Sequence, residues 1–455
     1  MSGSTLTDQN RSQSELLLAT YRATARTESR LGALSTRWIA FPLFVFAVHF
    51  ILVQFVATLA FKYGRITRAY DIKHARNGFI LTIHGAWSDI VVPMSRWDGL
   101  WYIYHTGNTE EMARFGGTQD TLWPLLPWII QYGARLTGLA PAVVGFLFVN
   151  LCFAVALIAL YRLISIEFTP RIARRSLWCL VLLPTSFFFH AIYTEAPFLC
   201  FAALAFLAAR HNRWFAAAFA CLLAATLRSH GLILILPLVA IYRDQVRQGR
   251  ERWSPKIAVL LIPFGGLWFY GRQWGEAGFK WNMIAYVQRK RFEIGSPPWK
   301  GIGCAFRDCS YERVISDKPF PQVVPGPDWS WAMQLLNHPS WRLITDLEWR
   351  RSASQSGGID VVVFSGCVLL TAIGLWKLPG WMKVYTLSLL TLVLIRMPFN
   401  HPLDGMARFA LLLFPLAIVL ALLLEDRLTR IIAGSISLTA LVLLTIQFAN
   451  WYWVT

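Results

Sequence analysis

Apolar residues in this chain come in long blocks, not in the period-two or one-faced patterns of soluble strands and helices. Clear blocks lie at about 38–61, 141–163, 176–192, 195–210, 214–228, 230–242, 257–273, 359–376, 382–397, 406–424 and 431–450. An α-helix needs about 20 largely apolar residues to cross a bilayer, and several blocks are shorter than that. The pattern predicts an all-α polytopic integral membrane protein of about 11 transmembrane helices, plus outer juxtamembrane helices. It divides the chain into a cytoplasmic N-terminal segment (1–37), a first transmembrane helix (38–61) and an outer loop (62–140). Transmembrane helices (141–274), a long outer loop (275–357) and C-terminal transmembrane helices (358–455) follow. Residues 1–37 are polar and arginine-bearing, too long for the charged start of a cleaved signal, so 38–61 is expected as a retained anchor.

Basic residues orient the blocks. Arg171, Arg174 and Arg175, then Arg210 and Arg213, then Arg243, Arg247, Arg250, Arg252 and Lys256 occupy alternate loops, followed by Lys377 with Lys383 and Arg427 with Arg430. Cytoplasmic loops are enriched in Lys and Arg, which places these clusters and the N-terminus inside. The turns at 193–195, 228–230 and 399–405 and the loops 62–140 and 275–357 then lie outside. On this reading residues 121–136, with Pro124 and Pro127, form a juxtamembrane or re-entrant helix instead of a crossing. The membrane is the plasma membrane or, in a eukaryote, that of the endoplasmic reticulum.

Composition agrees: 56% of the 455 residues are hydrophobic and mean hydropathy is +0.46. The net charge of +18 follows from the cytoplasmic loops and suits anionic headgroups or phosphates; no nucleic-acid module is recognisable. Most of the 21 tryptophans sit near block ends, as an interfacial belt would place them. Cys152, Cys179, Cys200, Cys221 and Cys367 read as small buried hydrophobes, whereas Cys304 and Cys309 share a polar loop and form a disulfide if that loop is in an oxidising compartment. There is no phosphate-binding Gly-Lys-Ser loop, hydrolase Gly-x-Ser-x-Gly or metal-ligand spacing, so neither a cofactor nor a metal is expected.

The chemistry-bearing residues concentrate on the outer side. The run Ser95-Arg96-Trp97-Asp98-Gly99-Leu100-Trp101-Tyr102 sets a carboxylate beside a cation among rings that can hold a sugar. Trp97, Trp101 and Tyr104 are expected on one side of a helix with Asp98 at its start, where a plain helix cap is the competing explanation. Arg228, Arg396 and Arg408 lie at outer ends of apolar blocks, with Glu195 and His230 nearby. Charges there are costly and usually face a partner. Guanidinium forks match a phosphate, and snorkelling to headgroups is the alternative. The long outer loop brings Gln288 and Trp299 as further candidates, since a loop of that length usually covers or binds something.

Taken in order, Arg96-Trp97-Asp98, Pro124-Leu125-Leu126-Pro127, Pro184-Thr185-Ser186-Phe187-Phe188 with Tyr193-Thr194-Glu195, Arg228-Ser229-His230-Gly231, Ala285…Gln288…Pro298-Trp299 and Arg408-Phe409 resemble the PIG-V-like mannosyltransferases. His230 departs from that family's usual Asn. The resemblance implies a GT-C-type glycosyltransferase fold, a polyprenyl-phosphate-linked sugar donor such as mannose, inversion at the anomeric carbon, and catalysis on the outer face. It maps the family's essential acidic residue onto Asp98. On this reading Arg228 and Arg408, helped by Arg396, meet the leaving phosphate, Glu195 orients Arg228 or a sugar hydroxyl, and Arg96, Trp97, Trp101, His230, Gln288 and Trp299 shape the substrate sites. The expected partners are the lipid-linked donor, a glycan, lipid or protein acceptor, and membrane lipids. The rival classes are a polytopic transporter or lipid flippase and a non-catalytic partner of another glycosyltransferase; the lack of an internal repeat speaks against a transporter.

Overall fold

The structure is a computed structural model. It describes residues 37–63, 86–104, 124–228, 230–252, 254–266, 309–311, 322–324, 358–395, 403, 405–450 and 454. Gln288, Trp299, Arg396 and Cys304 lie outside these residues, as does most of the long loop 275–357.

The protein is a helical membrane protein. Among the described residues, four helices are long and apolar enough to cross a membrane: α1 (Arg37–Tyr63), α5 (Pro141–Glu167), α11 (Gly358–Lys377) and α15 (Arg427–Ala449). Between them run α2 (Ala86–Val91), α3 (Asp98–Tyr104), α4 (Leu125–Thr137), α6 (Pro170–Val181), α7 (Glu195–Arg210), α8 (Trp214–Leu227), α9 (His230–Ile233), α10 (Ile235–Arg247), α12 (Gly380–Ile395), α13 (Met406–Phe409) and α14 (Phe414–Leu423). Cys309–Tyr311 (β1) and Gln322–Val324 (β2) pair antiparallel, a small departure from the expected all-α fold.

Local chemistry sets the helix ends. Pro141 and Pro170 sit in the first turns of α5 and α6, where a missing N–H costs nothing. The Thr169 hydroxyl accepts from the Ile172 N–H, and the Asp426 carboxylate accepts from the Thr429 N–H, capping α6 and α15. Gly138 closes α4 with φ +70, a conformation glycine adopts without strain. At 13 residues α4 is about 20 Å long, short of the ~30 Å hydrocarbon core.

Several expected spans are not single helices, and 230–242 is one of them, divided between α9 and α10. The block 176–192 divides because Pro184 cannot continue α6; a 3-10 turn at Ser186–Phe189 follows it. The block 406–424 bends by 80° between Met406–Leu412 and α14, next to Pro415. The block at 257 starts as a 3-10 segment, Pro255–Phe264.

Helix α5 is the central element, with 67% of its apolar window buried, whereas α15 is peripheral with 17%. On α1, Phe44, Ile51, Phe55 and Leu59 face outward, and on α15 so do Leu428, Ile431, Ile432 and Ile436, as lipid contact requires. Inside, Phe153 stacks on Phe189, while Phe206 packs against Trp381, Tyr385 and Phe414.

A buried polar chain crosses this apolar core. The Ser186 hydroxyl donates to the Val181 carbonyl (2.6 Å) and meets His49 Nε2 (2.9 Å); His49 Nδ1 meets His190 Nε2 (2.9 Å). His190 Nδ1 meets Asn150 Oδ1 (2.5 Å), and the Asn150 amide donates to the Phe146 carbonyl (2.8 Å). Polar groups away from water must satisfy one another, so the chain pins α1, α5 and the turn after α6 together. His190→Phe strands groups on both neighbours and is expected to cost about 2–4 kcal/mol, from one to two lost buried partners. Thermal unfolding in detergent measures this, and His49→Leu added to His190→Phe is expected to recover part of the loss.

Candidate functional site

The site gathers where several helix ends meet. Glu195 opens α7, and its first-turn position favours a carboxylate. Arg228 follows α8 in extended conformation (φ −168, ψ 154), off the path of the helix it ends. Arg408 lies on α13, and Asp98 starts α3.

These four side chains form one ion-pair network. Arg228 Nη1 donates to Glu195 Oε1 at 2.9 Å. Arg408 Nε stands 3.3 Å from the same oxygen, and Arg408 Nη1 donates to Asp98 Oδ2 at 2.7 Å, across 310 residues of sequence. Glu195 is almost wholly buried at 1% exposure, whereas the Asp98 side chain keeps 29%, so Asp98 is the member that opens outward. The second Glu195 oxygen, Oε2, is buried and accepts no hydrogen bond among the described residues.

Aromatic rings line the arginines. The Phe409 ring lies 4.9 Å from the Arg228 guanidinium and 5.7 Å from that of Arg408, and Tyr193 lies 5.3 Å from Arg408. Partly desolvated cations gain from such faces. His230 is buried, stacked on Phe409 at 5.1 Å with the rings 20° apart. Burial pushes the Tyr102 phenol up to about 12, with the Asp98 and Glu195 charges adding to it.

The backbone is held as firmly as the side chains. The Tyr193 hydroxyl accepts from the Asp98 N–H (3.1 Å) and donates to the Arg96 carbonyl (3.1 Å), closing the turn at Trp97. The residue before Arg408 is held at both of its backbone polar groups: Asp360 Oδ1 accepts from the Ala407 N–H (2.9 Å), and the Thr185 hydroxyl donates to the Ala407 carbonyl (2.7 Å). Gly231 lets α9 fold back onto the end of α8, because a Cβ there would overlap the backbone of Ala224 and Ala225.

Of the sequence candidates, Asp98, Glu195, Arg228 and Arg408 come together, with Glu195 accepting a hydrogen bond from Arg228. Trp97 corrects an expectation: it precedes α3 with φ +53, outside the helix that was to align it with Trp101 and Tyr104. Trp101 has its backbone in α3. Arg96 is buried, its Nε donating to the Ala449 carbonyl (3.2 Å) and its guanidinium over Phe61 at 5.5 Å. Reasoning from sequence missed Tyr193, Phe409, Thr185 and Asp360. Tyr193 and Phe409 adjoin charged candidates, but a carboxylate at a helix start such as Asp360 reads as a local cap. No group of three or more His, Cys, Asp and Glu side chains suited to a metal ion occurs among the described residues.

Comparison with protein-family models and with curated proteins finds no match for the chain.

Two outcomes follow from this geometry. Glu195→Gln leaves two buried guanidiniums sharing a neutral amide, and removing one partner of a buried pair costs about 3–5 kcal/mol; a fall in the thermal unfolding midpoint checks it. Gly231→Ala forces α8 and α9 apart and is expected to cost about 1–3 kcal/mol as overpacking, read by the same melt.

Proposed function

We propose that the chain is a membrane glycosyltransferase that moves a sugar, mannose in the first instance, from a polyprenyl-phosphate carrier to an acceptor hydroxyl, with inversion, on the non-cytoplasmic face. The observation that carries this reading is the network of Asp98, Arg408, Glu195 and Arg228: a half-open carboxylate beside two buried guanidiniums. The first is a candidate base, and the others are candidate ligands of a leaving phosphate. The resemblance to PIG-V-like enzymes, and with it a GT-C-type fold of about 11 crossings, supports the same reading.

The reaction is a single displacement. The acceptor oxygen attacks the anomeric carbon as its proton passes to the Asp98 carboxylate. The bond from that carbon to the phosphate oxygen breaks, its electron pair stays on the phosphate, and Arg228 and Arg408 meet the charge that develops. Rings near Arg228 and Arg408 exclude water, which strengthens these interactions.

Sidedness has support from the helices themselves. α7 carries Glu195 at one end and Arg210, of a basic loop, at the other; α8 is flanked by Arg213 at its start and Arg228 at its end. The site thus occupies the ends opposite the basic loops, which the positive-inside tendency puts in the cytoplasm.

The test is transfer from synthetic polyprenyl-phosphate mannose by the purified protein in detergent, with pooled lipid and glycan acceptors. Asp98→Asn is expected to lower turnover by about 10²–10⁴-fold while the protein remains folded. Equal product from both proteins removes Asp98 as the base. No product from either, with lipid movement in sealed vesicles, favours a transporter.

A further inference from the structure

The resting arrangement of the site opposes the reaction proposed for it. A carboxylate that accepts a charge-assisted bond from a guanidinium at 2.7 Å is a poor proton acceptor, because gaining a proton weakens that bond. The same guanidinium is one a phosphate oxygen would seek.

Competition for the guanidiniums sharpens the conflict. Asp98 and Glu195 already engage Arg228 and Arg408. A phosphodiester oxygen that seeks the same donors competes with these carboxylates. Glu195 is 1% exposed and bridges both arginines, whereas Asp98 is 29% exposed at the rim.

We infer that a phosphodiester anion displaces Asp98 from Arg408, so that donor binding itself frees the base. The inference rests on the function proposed above and adds an order to it: donor first, acceptor second. Without donor, Arg408 holds Asp98 and keeps it idle. With donor, Arg408 holds phosphate, and the Asp98 carboxylate leaves that guanidinium. The Asp98 backbone stays in place, because its N–H remains bonded to the Tyr193 hydroxyl. The released carboxylate therefore stays close to the phosphate that replaced it.

The experiment uses the full-length protein in detergent and a short-chain prenyl methyl phosphodiester, a monoanion with no sugar to transfer, followed by titration calorimetry. If Asp98 competes for Arg408, Asp98→Asn binds the probe roughly ten- to hundredfold more tightly than wild type, the worth of one hydrogen bond to a charged group. That gain is expected to vanish in an Arg408→Gln background. A gain of the same size there makes Asp98 a general repulsive charge and overturns the exchange. Wild-type binding without tightening in Asp98→Asn also overturns it, and leaves the proposed function standing. No binding to either protein removes both. Should Arg408→Gln fail to fold, proton uptake decides. Compared across buffers of different ionisation enthalpy at about pH 5, wild type is expected to take up protons on binding and Asp98→Asn is not. No uptake by wild type overturns the exchange.

Discussion

Everything at the site hangs on one buried carboxylate. Glu195 Oε1 lies within 2.9 Å of Arg228 and 3.3 Å of Arg408. Two guanidiniums brought this close would repel strongly in a medium of low dielectric; with Glu195 between them they are held together. The carboxylate in turn gains from its place in the first turn of α7, where free N–H groups concentrate positive potential. The arrangement is costly to desolvate and is therefore weak evidence for stability. Its value is geometric: it places two cations side by side with one edge open toward Asp98.

That geometry depends on where helices stop. Arg228 leaves the helical path because α8 ends at Leu227, and Gly231 allows the chain to turn back at once. Arg408 is placed by the bend at Leu413 and by the two hydrogen bonds that Asp360 and Thr185 make with the Ala407 backbone. Asp98 follows a tryptophan in a left-handed conformation that an L side chain adopts only at some cost. The long helices α1 and α5 supply the frame, and the polar chain through His49 and His190 fixes that frame to the segment leading into Tyr193 and Glu195.

Much of this was legible in the sequence, for reasons that can be named. Spanning helices need only length and composition, so α1, α5, α11 and α15 stand out as apolar blocks. Asp98, Glu195, Arg228 and Arg408 stand out because charge in apolar surroundings demands a partner. For Asp98 the identity of the partner was not legible. Adjacency suggests Arg96 for Asp98, yet the guanidinium at 2.7 Å belongs to Arg408. Pro184 and Pro415 were visible, but averaging hydropathy over a window hides a single missing N–H, so two interrupted segments read as continuous spans. His49 was lost in the same way, one polar residue inside an apolar block, although its ring is bonded at both nitrogens. The three-residue strands β1 and β2 are too short to leave a periodic trace.

The separation of the site's parts along the chain has a consequence for its biogenesis. Glu195 and Arg228 are 33 residues apart and can neutralise each other as soon as α7 and α8 have been made. Asp98 meets Arg408 only after a further 310 residues have been made. The bent segment Met406–Leu423 then brings the cation that closes the network. A chain cut short before that point would lack the ion pair between Asp98 and Arg408, although the Tyr193 hydroxyl would still hold the backbone of Arg96 and Asp98.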